Sequence, residues 1–105
     1  MPKRSRTERR EAERAAAKLA QARMKLAALE EGGAPNRPIE VASASVVEPH
    51  ASSLPCAACG AQGVRIEEHV AIAVGESRLR VARVRCQQCS VKREIYFRIG
   101  TTLPS

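Results

Sequence analysis

The chain has 105 residues, 18 of them lysine or arginine against 11 acidic, a formal net charge of +7, and one tyrosine and one phenylalanine. So few large side chains exclude a sizeable core, and the length allows one small domain with an appendage. No apolar run in the sequence approaches the roughly 20 residues of a membrane helix, and the basic balance suits a polyanionic partner without requiring one.

The first residues, Met1-Pro2-Lys3-Arg4-Ser5, are charged and carry no apolar run, which predicts a reducing, cytoplasmic setting rather than secretion. Ser5 and Glu8 have the spacing of a capping box. Residues 6–31 lack proline and glycine and are rich in Ala, Leu, Lys, Arg, Glu and Gln. They predict a helix of about 25 residues, stopped by Gly32-Gly33 and Pro35. Ala12, Ala15, Leu19, Ala22, Leu26 and Leu29 fall at alternating steps of three and four, a heptad seam. Its first half is only alanine, so pairing through it would bury little area. The seam can meet a second copy or a partner protein, or the helix can stand alone in solvent.

Lys3, Arg4, Arg6, Arg9, Arg10 and Arg14 crowd the start of this helix, with Glu8, Glu11 and Glu13 between them. Cations at a helix N-terminus oppose the dipole, so the cluster does not serve helix stability. A phosphate backbone would reward it. Internal pairing, such as Arg9 with Glu13, would instead make it a solvated face.

Residues 32–54 hold Gly32, Gly33, Pro35, Pro38, Pro49 and several serines, which predicts a flexible linker between a helical segment (1–31) and a domain (55–105). Within it Ile39, Val41, Val46 and Val47 offer a brief strand to a partner or to a sheet edge, and His50 reads as a loop histidine. From Pro55 the apolar period changes to two. Residues 64–74 predict one strand, Gly75-Glu76-Ser77 a turn, residues 79–86 a return strand and residues 91–99 a third. Leu79 and Val81 share one parity while Ala82 and Val84 take the other, which predicts a bulge near Val81-Ala82. The expected core is Val64, Ile66, Val70, Ile72, Val74, Leu79, Val84, Ile95, Phe97 and Ile99, with His69 solvated on its strand.

All four cysteines lie in two C-x-x-C pairs, Cys56/Cys59 and Cys86/Cys89. Such turns aim two sulfurs at one point, and two of them at one end of a hairpin give the four thiolates of a closed tetrahedral site. One structural Zn²⁺ is the expected cofactor. Two disulfides are disfavoured by the reducing compartment, and iron is the chemical rival.

With Cys56, Cys59, Gly60, Cys86 and Cys89, the strand parity and the spacing between the pairs, residues 55–99 resemble the zinc-ribbon group. Ala57 stands where many ribbons have proline and Ser90 where the second turn often has glycine, so no subfamily follows. The resemblance implies a small α+β chain: a single N-terminal α-helix, a flexible linker and a C-terminal three-stranded antiparallel zinc ribbon. Ribbons occur in transcription factors, polymerase subunits, ribosomal proteins and enzyme appendages, so the fold leaves the function open.

Two functions compete. In the first, Arg80, Arg83, Arg85, Arg93 and Arg98 with an exposed Tyr96 bind DNA or RNA, the arginines holding phosphates and the ring stacking a base. In the second, the Ala/Leu seam binds a partner protein and the ribbon is a docking module. Catalysis is not expected: four cysteines close the metal shell, and no nucleophile with a base, paired carboxylate or phosphate loop stands elsewhere in the sequence. Neither a small-molecule substrate nor a membrane is expected as a partner.

Overall fold

The computed structural model describes residues 5–100; the basic lead-in with Lys3 and Arg4 and the expected loose tail at 101–105 lie outside them. Helix α1 spans Arg6–Leu29. Ser5 caps it: its hydroxyl accepts from the Glu8 N–H, while the Glu8 carboxylate accepts from the Ser5 N–H. That reciprocal cap contributes about 1 kcal/mol. Four strands follow: β1 (Ile39–Val41), β2 (Arg65–Val74), β3 (Ser77–Arg85) and β4 (Lys92–Ile99), with helix α2 (Val47–Ser53) between β1 and β2. No helix among the described residues is long and apolar enough to cross a membrane.

The sheet has the order β1-β4-β3-β2. The three expected antiparallel strands are present, and the sheet is mixed rather than purely antiparallel: β1 joins β4 in parallel, Ile39 opposite Phe97 and Val41 opposite Ile99. The segment expected as a flexible linker therefore belongs to the fold. It supplies Ile39, Val41, Val47 and Ala51 to the core. Pro49 does not prevent α2, because it falls in the first turn, where its missing N–H has no intrahelical acceptor to lose.

One sheet face carries Ala82, Val84, Ile95 and Phe97, all at most 3 % exposed, and α2 covers it. Burying a Phe97 or Ile95 side chain stabilises by about 2–3 kcal/mol each. His50 lies on α2, not in a loop, and meets Phe97 edge to face at 5.6 Å. His69 also faces α2 rather than water: its Nδ1 is 3.1 Å from Glu48 Oε2, and its Nε2 is buried without a partner.

The bulge sits in β2, between Ile66 and Glu68, not in β3. It turns the rest of β2 over, so that Val70 opposes Val81 and Ile72 opposes Leu79 on the far face, while His69 opposes Ala82. β3 simply has apolar residues on both faces, and Val81 and Ala82 are both buried. Of the expected core, Val64, Leu79, Val84, Ile95 and Phe97 are buried, Ile66, Val70 and Ile72 half-buried, and Val74 and Ile99 exposed.

Helix α1 touches this body only near its C-terminal end. Ala27 is buried, and Ala20 and Met24 pack against the core. The chain then turns at Gly32, whose carbonyl accepts from the Tyr96 N–H. Gly32 has φ +85°, and a Cβ there would lie 2.6 Å from Ile39 Cδ1. A side chain at this position would be strained by the positive φ and would force the Ile39 side chain to shift. The molecule is elongated, 66 × 23 × 23 Å, with α1 alone about 36 Å long.

Candidate metal centre

The two C-x-x-C segments fold as copies of one turn. In the first, the Cys56 N–H donates to the Ala61 carbonyl and the Gly60 N–H to the Cys56 carbonyl, at 2.9 and 2.8 Å. In the second, the Cys86 N–H donates to Val91 and the Ser90 N–H to Cys86, at 2.9 and 3.0 Å. The residue after each second cysteine closes the turn with positive φ: Gly60 at 77° and Ser90 at 64°. The Gln87 side-chain amide donates to the Gly63 carbonyl at 2.8 Å and ties one turn to the loop after the other.

This geometry brings the sulfurs of Cys56, Cys59, Cys86 and Cys89 within 4.8 Å of one another. Cys56 and Cys89 are 3.6 Å apart at Sγ, as are Cys59 and Cys86. A disulfide needs about 2.05 Å, and all four thiols are free. A tetrahedron of sulfurs at about 2.3 Å from a central ion has edges of about 3.8 Å. The cluster therefore fits one metal ion held by four cysteines.

Electrostatics in the cluster point the same way. The Cys86 sulfur accepts from the N–H groups of Gln88 and Cys89 at 3.3 and 3.4 Å. The Cys89 N–H, ahead of the Gln88 N–H and the neighbouring thiols, holds the Cys86 thiol down at about 6. The Val91 N–H pulls Cys89 downward too, but burial and the other three thiols push it up to about 12. Cys59 is also raised: the Ala61 N–H lowers it, and burial with the Cys86 and Cys56 thiols outweighs that. One thiolate forms readily, and further ones repel it until a cation lies between them.

The six residues expected to bind nucleic acid are not gathered on one surface. By strand alternation Arg83, Arg85, Tyr96 and Arg98 share the face away from α2, while Arg80 and Arg93 lie on the other. On the first face the arginines are paired. Arg83 bridges Glu68 and Glu94 at 2.6 and 3.2 Å, Arg85 lies 3.8 Å from Glu67, and Arg98 is bonded to Glu40. The two carboxylates on Arg83 raise its guanidinium further. Tyr96 is half-buried rather than exposed, and burial raises its hydroxyl.

The heptad seam is where the structure exposes apolar surface. Leu19, Leu26 and Leu29 are 53, 60 and 63 % exposed, because α1 docks through Ala20, Met24 and Ala27 instead. Sequence reading found the seam and missed this second face. Its signal is the 20-24-27 spacing, hidden by two alanines too small to stand out. No family model, curated protein or solved structure matches the chain.

Proposed function

We propose that this chain is a docking adaptor: a ribbon held by one structural Zn²⁺ on Cys56, Cys59, Cys86 and Cys89, which props α1 so that its seam is offered to a partner protein. The observation that carries this reading is the exposure of Leu19, Leu26 and Leu29 on a helix already anchored by another face. A stripe of leucines left in water marks an interaction site. Four cysteines would fill the coordination shell of zinc, so the metal would stabilise the fold rather than carry out a reaction. A reducing compartment such as the cytoplasm suits the free thiols.

The test is photo-crosslinking in cells with a reactive side chain at position 22, in the seam, and separately at position 76, in the hairpin turn. The reading expects a product at position 22 that disappears with Leu26→Glu. Equal products at both positions, or none at 22, would overturn it.

The nucleic-acid reading keeps one favourable observation, and it has moved to the helix. Arg6, Arg9, Arg10 and Arg14 are exposed and make no ion pair among the described residues, whereas Arg83, Arg85 and Arg98 on the sheet are neutralised. A polyanion would meet the start of α1. On that reading Arg9→Gln with Arg10→Gln flattens the salt dependence of RNA or DNA binding, while Arg83→Gln leaves it unchanged. The reverse result would return the contact to the ribbon.

A further inference from the structure

The docking surface has a chemistry of its own. Between Arg14 and Leu29 the helix carries Arg14, Lys18, Arg23 and Lys25 and no acidic residue. In the heptad, Lys18, Arg23 and Lys25 flank the leucines, in the positions that choose a partner by charge. A second copy is therefore a poor occupant. Parallel pairing sets Lys18 of one chain against Arg23 of the other, offset only by Lys25 against Glu30, which lies past the helix end at its C-cap, and antiparallel pairing with Leu19 opposite Leu29 sets Lys25 against Lys25 and Arg23 against Arg23.

The seam also runs into a groove of about 470 Å³ between α1, α2 and the first cysteine turn, walled by Leu26, Ile39, Leu54 and Pro55, with Arg23 on its rim and the carboxylates of Glu30 and Glu31 also in its lining, neither of them bonded to Arg93. Arg93 lies in this groove, half-buried, with no hydrogen bond or ion pair among the described residues. Burial holds its guanidinium below the usual value, against the upward pull of Glu30 and Cys56. A half-buried cation without a partner is costly, and a carboxylate from outside would relieve it.

We propose that the partner is an amphipathic helix whose apolar seam is flanked by Asp and Glu, packing on Leu19, Leu26 and Leu29 and placing one carboxylate on Arg93. This rests on the adaptor reading and names its partner by charge. The probes are three labelled synthetic helices of four heptads, all with leucine at a and d, and with Glu, Gln or Lys at e and g. They are titrated by fluorescence anisotropy into the zinc-loaded full chain.

The Glu peptide should bind about tenfold or more tightly than the Lys peptide, and the gap should narrow with salt. Leu26→Glu and Arg93→Gln should each weaken the Glu peptide about tenfold. Position 26 is exposed, so the melting temperature of Leu26→Glu should stay that of the parent and separate lost binding from lost folding. Equal binding of all three peptides would overturn the acidic partner and leave the adaptor reading standing. If Arg93→Gln loosened only the metal, the role of Arg93 would fall. A dimer of the free chain that Leu26→Glu dissolves, or capture by phosphatidylserine vesicles in preference to the Glu peptide, would replace the occupant. Glu-peptide binding that survives Leu26→Glu would overturn both readings.

Discussion

The two cysteine turns share their backbone hydrogen bonds and differ in almost everything around them. Their first cysteines, Cys56 and Cys86, are both buried, but the first turn is built into the body beyond that: Ala58 is 4 % exposed, and Arg23 of α1 donates to the Ala58 carbonyl at 3.4 Å. The second is open, with Gln87 and Gln88 in solvent, and its N–H groups point at the Cys86 sulfur. A metal centre needs the same four sulfurs whichever turn they come from, so ligand identity is symmetric. Tolerance of change elsewhere should follow the packing and not the motif.

The largest effect should come where the turns are equivalent. Cys59→Ser, or removal of the metal by a chelator, should abolish the strand signal of the ribbon in circular dichroism and disperse no amide resonances. Binding of zinc to four cysteines supplies about 10 kcal/mol or more, above the whole stability of a domain this small. Elemental analysis of the purified chain should find one zinc per chain. A well-dispersed strand spectrum without metal would break this expectation.

Acid should act by competing with the cation for the four sulfurs. Without a cation the N–H groups of Cys89 and Gln88 hold the Cys86 thiol down at about 6, while, against the Val91 N–H, burial and the other thiols push Cys89 up to about 12. The thiols held high take protons first and Cys86 last. Metal release followed with a chromogenic chelator should rise as pH falls, and Gln88→Pro, which removes one N–H donor to the Cys86 sulfur, should shift release to higher pH.

Next comes the test that separates the turns. Ala58→Glu buries a charge against the body and should cost about 2–3 kcal/mol or more, seen as a lower melting temperature of the zinc form. Gln88→Glu, at the corresponding place in the open turn, should change stability by no more than about 0.5 kcal/mol. Equal effects would mean that the packing around the first turn is unimportant.

The smallest effect lies in the closing residue. Ser90 holds a left-handed conformation that L residues adopt at a cost of about 1–2 kcal/mol. Ser90→Gly should stabilise the ribbon by about 0.5–1 kcal/mol, and Gly60→Ala should destabilise it by about 1 kcal/mol. Denaturant titration of the zinc form reads both. If Ser90→Gly destabilised, the serine would have a role beyond closing the turn.

What could be read from the sequence was what depends on near neighbours. The cap at Ser5 and Glu8, the course of α1, the hairpin of β2 and β3 and the four ligands all follow from spacings of a few residues. Ile39 and Val41 could be read as a brief edge strand but not its partner or register, because three residues carry almost no periodicity and β4 lies far along the chain. α2 was masked by Pro49, a breaker everywhere except in the turn where it stands. The arginines of β3 and β4 looked like a phosphate surface because Glu68 and Glu94, which neutralise Arg83, and Glu40, which neutralises Arg98, reach them only through the sheet.

The parallel pairing of β1 with β4 also imposes an order of events. Glu40 and Arg98, bonded across that pair, are 58 positions apart in the chain. A ribosome makes α1 and β1 long before the strand that β1 must join. Until β4 emerges, β1 has no strand to pair with and α1 lacks the finished core on which Met24 packs. The nascent segment from α1 to β1 must wait, with its leucines bare, for β4. Contacts across such a span are slow to form, so docking of the first half should be the late step of folding.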